Sequence, residues 1–147
     1  MTLTQRLRSA LAELDYAVAH NHVDSAINAL TYLGQAVALL DGRSPAGPEW
    51  DELRDRLRDH PDLMARAAAN LDSPFDNRAE DDGLLDSLYA RSGYQLLLDQ
   101  HVWPEPPLSD FHLGEVGKQL ARGVADDPPA VPAGIPAAHT WWHPAGI

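Results

Sequence analysis

The sequence predicts an all-α fold: a compact bundle of about five or six short helices with a C-terminal Pro-rich, Trp-containing tail packed on it. Three observations lead there. Apolar residues recur at spacings of three and four through most of the first 125 positions, which is the period of one helical face. Gly, Pro, Asn and Asp interrupt those runs where helices start and stop. After Ala125 the composition changes abruptly, so the chain divides into a helical domain over 1–125 and a Pro-rich aromatic tail over 126–147.

Leu3, Leu7, Leu11, Leu14 and Val18 define the first helix, from about Thr4 to Ala19, with Arg6, Arg8, Glu13 and Asp15 mostly elsewhere. His20-Asn21-His22 suits its end, because Asn tolerates the left-handed conformation; Asn21 or Asp24 is expected to cap the next helix. That helix carries Val23, Ile27, Leu30, Leu33 or Gly34, Val37 and Leu40, and stops at Asp41-Gly42, with Gly42 in the left-handed position. From Ser25 to Leu40 it holds no charged residue, which marks it as the central helix of the bundle or as part of a subunit interface, the first being favoured. Its small residues Ser25, Ala29, Gly34 and Ala38 would let a neighbouring helix approach closely.

Pro48 opens the third helix, whose stripe is Trp50, Leu53 and Leu57; Glu52 and Arg56 stand in the favourable i, i+4 order on its solvated side. His60-Pro61 breaks the pattern before a short fourth helix with Leu63, Met64, Ala67 and Leu71. Asp72 to Asp82 reads as a surface loop, with Asp82 a cap for the fifth helix. That helix runs through Leu84, Leu85, Leu88, Tyr89, Leu96 and Leu97 to about Gln100, and Gly93 within it implies a kink or a tight contact. Ser109 is expected to cap a sixth helix with Phe111, Leu113, Val116, Leu120 and Val124 inward. The last 22 residues contain five prolines and favour extended backbone, yet Val131, Ile135, Trp141, Trp142 and Ile147 make the segment apolar, so it should pack on the bundle or on a partner.

Composition narrows function. Hydrophobic residues at 44% and charged residues at 22% are ordinary for a folded chain of 147 residues. The absence of cysteine removes disulfides, thiolate metal sites and cysteine nucleophiles. A formal net charge of −11 repels nucleic acid and anionic membrane, and favours a basic protein partner. No secretory leader is evident at the N-terminus, and the uncharged run Ser25 to Leu40 falls short of the roughly 20 apolar residues that span a bilayer. A cytoplasmic protein without membrane or nucleic-acid partners is the expectation.

His139 and His143, four apart in a His-Thr-Trp-Trp-His segment, are the first candidates for chemistry: on one helical face they could share a divalent transition metal. A third ligand would come from His20, His22, His101 or His112, or from Asp24 or Asp110. The intervening Glu of the H-E-x-x-H hydrolases is missing, so metal is not the favoured reading. His112, with His139 and His143, is also a candidate general base. The competing reading gives Trp141, Trp142 and Ile147 to partner binding, or folds the tail back as a clasp with both indole N–H groups bonded.

Glu49 and Glu52 form an E-x-x-E pair that resembles, over one helix only, the magnesium-binding helices of all-α nucleotide pyrophosphohydrolases. That resemblance implies a second carboxylate pair on a facing helix, which Glu80, Asp81, Asp82 and Asp86 do not supply in the expected form. Gly114 to Gly123 resembles the start of a helix-turn-helix, but Pro128, Pro129 and Pro132 forbid the recognition helix. Phosphate-loop and serine-hydrolase motifs are absent from the sequence. The leading expectation is therefore a small acidic helical protein that works through protein–protein contacts, as an accessory subunit, an immunity-type inhibitor or a self-associating regulator. The alternative is a small helical enzyme with a His-based, metal-dependent or metal-free, site between bundle and tail.

Overall fold

A computed structural model describes residues 2–72, 83–126 and 128–143. The fold is all-α: α1 (Leu3–His20), α2 (Val23–Leu40), α3 (Pro48–Arg58), α4 (Pro61–Ala69), α5 (Gly83–Asp99) and α6 (Asp110–Asp126), with single 3₁₀ turns at Asn70–Asp72 and Thr140–Trp142. Among the described residues there is no strand. The loop expected over 72–82, and Asp82 as a cap, fall largely outside the described residues.

The helix ends follow local chemistry, with two departures from expectation. Thr2 and Gln5 form a capping box at the start of α1, and Asn21 ends it in the left-handed conformation. The cap of α2 is His22, not Asn21 or Asp24: its ring Nδ1 accepts the Ser25 backbone N–H at 3.3 Å, a role usually filled by Ser, Asp or Asn. Asn21 is already committed to closing α1. At the far end of α2 Asp41 itself is left-handed, at φ 52°, and Gly42 follows at φ 85°. The Arg43 side chain donates to the carbonyls of Leu40 and Leu39, answering the exposed end of α2.

α2 is the central helix. It packs against α1, α4 and α5, which accounts for its lack of charge. It is also the one helix among the described residues that is long and apolar enough to cross a membrane; most of its length is covered by helices of its own chain. The α2–α5 crossing depends on two glycines. A Cβ on Gly34 would lie 1.8 Å from the Tyr89 carbonyl oxygen, and one on Gly93 would lie 2.1 Å from that of Leu30. Each glycine costs a helix about 1 kcal/mol, and here each lets backbone meet backbone. Thr31 Oγ1 donates across the same seam to Asp86 O at 3.3 Å. Thr31 meets Asp86, Gly34 meets Tyr89, and Val37 and Leu40 border the same cleft as Leu96 and Asp99, so α2 and α5 run in the same direction and end near one another.

The remaining helices close the core around this pair. Leu7, Ala10, Leu14 and Ala17 form the buried stripe of α1, so Val18, expected inward, is exposed: Ala10 and Ala17 turn the true stripe by about 40° from the one the larger residues mark. Trp50, Leu53 and Leu57 of α3 are buried as expected, and Trp103, after α5, drives into the same core with its indole N–H on Leu57 O at 3.0 Å. Ser109 caps α6 through the His112 amide. Leu113, Val116, Leu120 and Val124 face inward, but Phe111, expected with them, is 79% exposed. Two residues before Leu113 is about 200° around the helix, so the stripe cannot include both. Beyond α6 the chain returns across the bundle: at Gly134, φ +92°, it lies so close to α2 that a Cβ would be 2.0 Å from Ala38 O.

Candidate functional site

The tail ends in a buried polar cluster built on α5. Ser92 is fully buried on the inward side of α5, four residues from Leu88 and four from Leu96. Three groups from the tail converge on its hydroxyl. Trp142 Nε1 donates to Ser92 Oγ at 3.0 Å and Trp141 Nε1 at 3.3 Å, while His139 Nδ1 lies 2.8 Å from the same oxygen. Two indole donors occupy both lone pairs of Oγ, so its one proton must be donated to His139 Nδ1. That fixes the ring as the neutral tautomer with hydrogen on Nε2. Burial, helped by the charge of Arg91, pushes His139 down to about 4.

Aromatic contacts complete the clasp. His139 stacks on Trp141 at 4.6 Å between ring centres, Trp142 meets Tyr89 edge-on at 5.1 Å, and the Arg91 guanidinium lies 4.0 Å over the Trp141 ring. Arg91 is itself buried, and burial lowers it to about 10. Its Nη1 donates to Gln95 Oε1 at 3.1 Å, and Gln95 Nε2 donates on to Asp99 Oδ1 at 2.8 Å, a chain of polar contacts at four-residue steps along one face of α5. The cation is thus shared between a ring face and a distant carboxylate.

A serine hydroxyl bonded to an imidazole has the composition of a nucleophile–base pair. Here it cannot act as one. Ser92 has no exposed surface, and both lone pairs that would attack a substrate are held by indole donors. The cluster holds the tail down.

The other histidines stand apart. His139 and His143 do not share a helical face: the segment makes only one tight turn, leaving His139 buried before it and His143 exposed and extended after it, at φ −120° and ψ 151°. His20 is exposed at the end of α1, where its ring lies tilted against Tyr16 at 4.2 Å between centres, and His22 is engaged as the α2 cap. Both lie at the N-terminal end of α2, whereas His139 lines a cleft with Val37 and Leu40 at the other end, some fifteen residues or about 22 Å along the helix. His101 and His112 are exposed, as are Asp24 and Asp110 in the first turns of α2 and α6. Among the described residues no three His, Asp or Glu side chains converge as metal ligands. Glu49 pairs with Arg8 at 3.2 Å and Glu52 with Arg56 at 3.9 Å, while Glu80, Asp81 and Asp82 lie outside the described residues.

Trp141 and Trp142, read from sequence as partner contacts or as a clasp, are buried against their own chain; Ile147 lies outside the described residues. Sequence reasoning missed Ser92, Arg91, Gln95 and Asp99. One signal was there: Ser92 is a polar residue on the Leu88–Leu96 stripe, where a buried hydroxyl must find a partner. Comparison with protein-family models, curated proteins and solved structures gives no match to the chain.

Proposed function

We propose that this protein acts without catalysis, by binding a protein whose contact surface is basic. The observation that carries this reading is Phe111. It stands 79% exposed on the first turn of α6, between the exposed Asp110 and His112. Gly114, one turn on, has open space where a side chain would be, so the helix presents bare backbone beside the ring. An isolated exposed aromatic ring is the kind of anchor on which binding energy concentrates. The surrounding charge, 22 acidic against 11 basic residues, would steer a basic partner toward it and oppose pairing with a second copy. The enzyme alternative is weakened because the Ser92–His139 pair is closed, the Ser25 hydroxyl and His22 ring, 2.7 Å apart, are engaged in the α2 cap, and the paired tail histidines are separated.

Capture from a lysate of the cells that make the protein tests this, with wild type and Phe111→Ser immobilised in parallel. The expected result is one identifiable basic protein on the wild type, bound about tenfold more weakly by the variant and progressively released by salt. Equal retention by both forms, or retention of nothing by the wild type, would overturn the proposal. So would a homodimer in sedimentation analysis that Phe111→Ser dissolves, since the second copy would then be the partner.

A further inference from the structure

The tail is fastened to the bundle at one point. Among the described residues, no backbone hydrogen bond joins 128–143 to a helix; the tail's backbone bonds are internal, such as His139 N–H to Pro136 O and His143 N–H to Thr140 O. Every side-chain hydrogen bond between tail and helices, again among the described residues, ends on Ser92 Oγ. The rest is packing. The turn Thr140–Trp142 lies against α6, while Trp142 meets Tyr89 and Trp141 meets Arg91, so the two tryptophans sit between α5 and α6. The main seams of the bundle do not need the tail, because α2 packs on α1, α4 and α5 through helix contacts.

That single fastening contains a group that titrates near neutral pH. His139 Nδ1 accepts the Ser92 proton, so a proton on Nδ1 makes it a third donor facing an oxygen that already accepts two. The Ser92 hydroxyl proton then loses its acceptor. A second cation also forms on a ring stacked on the same indole that the Arg91 guanidinium covers. The other charged groups near the ring are Asp99 of α5, which favours its protonation, and Arg43, which borders the same cleft from beyond the end of α2. Neither gives Nδ1 an acceptor in place of Ser92. On a detached tail the ring meets water, and a proton there breaks nothing.

We propose that residues 128–143 form an acid-released strap: protonation of His139 detaches the tail from Ser92 as a unit while the six helices stay folded, uncovering Tyr89, Ser92 and both indoles. The release is a property of the clasp and does not depend on the proposed protein partner.

Hydrogen exchange of the Trp141 and Trp142 indole N–H groups measures the opening, followed by NMR on the full-length protein at pH 7 and pH 5 and referenced to free tryptophan at each pH. His139 titrates at about 4 when latched and near 6.5 when released. The released form therefore binds more protons, and opening is favoured as pH falls, by about twentyfold between these two conditions. Both indole protection factors should drop by that factor. At each pH they should also lie at least about tenfold below those of the Leu30 and Leu97 amides, buried in α2 and α5, because the strap opens without the bundle. In His139→Gln the side-chain oxygen accepts from Ser92 at any pH, so the drop should shrink to less than about twofold. Indoles protected as strongly as the two amides would overturn the proposal, since the tail would then leave only on global unfolding. So would indole protection that is the same at both pH values, or an undiminished drop in His139→Gln. The first two outcomes are read on the wild type and do not require the variant to fold.

Discussion

Replacing Ser92 with Ala removes one oxygen from the interior and strands three groups at once. The Trp141 and Trp142 indole N–H groups and His139 Nδ1 all depend on that hydroxyl, at 3.3, 3.0 and 2.8 Å. A buried polar group left without a partner costs about 1–3 kcal/mol. The 3.3 Å bond is long and should count least, and water cannot enter beside a residue with no exposed surface. The expected loss is about 3–5 kcal/mol, a large part of the 5–15 kcal/mol by which domains are stable. For a chain of this size that is a fall in Tm of about 6–20 °C. Urea unfolding followed by far-ultraviolet circular dichroism, with near-ultraviolet tryptophan signals recorded alongside, measures it. The tryptophan signature should change more than helical content, because the lost bonds anchor the tail and not the helices. Ser92→Cys, which keeps a weak donor and acceptor in nearly the same volume, should fall between the two. A Ser92→Ala variant within 1 kcal/mol of wild type would refute the three-way junction as the clasp's anchor.

Three further outcomes are expected. Gly93→Ala places a methyl group 2.1 Å from Leu30 O and must part α2 from α5; a loss of about 3 kcal/mol or more in urea unfolding is expected, and a gain, as helix propensity alone would give, would contradict the crossing. His139 is held near 4 in the folded protein but takes up a proton near 6.5 when unfolded, so between these values the unfolded chain binds more protons. Stability from this group is therefore complete above about pH 6.5 and is lost as pH falls toward 4, by up to about 3 kcal/mol, readable from urea midpoints across that window. Arg91→Met removes the neighbouring charge that helps depress His139, so NMR titration should show the His139 midpoint rising toward its ordinary value.

Much of the fold was legible because helix formation is written locally. Pro48 and Pro61 at first turns, Asn21 at a left-handed end and the Ser109 cap all follow from each residue's own backbone and hydrogen-bonding chemistry. Where the reading failed, local alternatives were nearly equivalent. Asn21 could end one helix or start the next, and the chain spent it on the first, leaving His22 to cap α2. Phe111 was drawn inward by its hydrophobicity, although its angular position placed it outside.

The candidate site was much less legible. His139, Trp141 and Trp142 stood out for their residue types, but their spacing described a helical turn that does not form. Their partner Ser92 lies 47 residues from His139 along the chain, and a lone serine in a leucine-rich helix carries no visible instruction about what will reach it.

Sequence alone determined that the chain folds into helices, where most of them begin and end, that α2 is largely covered and that the chain is acidic, because periodicity, capping and charge act over a few residues or by simple sum. Only the tertiary structure decided that two glycines seat α5 on α2, that the tail's tryptophans turn inward onto one hydroxyl, and that His139 is buried neutral at the edge of a cleft. Those outcomes depend on which distant groups arrive at the same point, and on the cost of leaving any of them there without a partner.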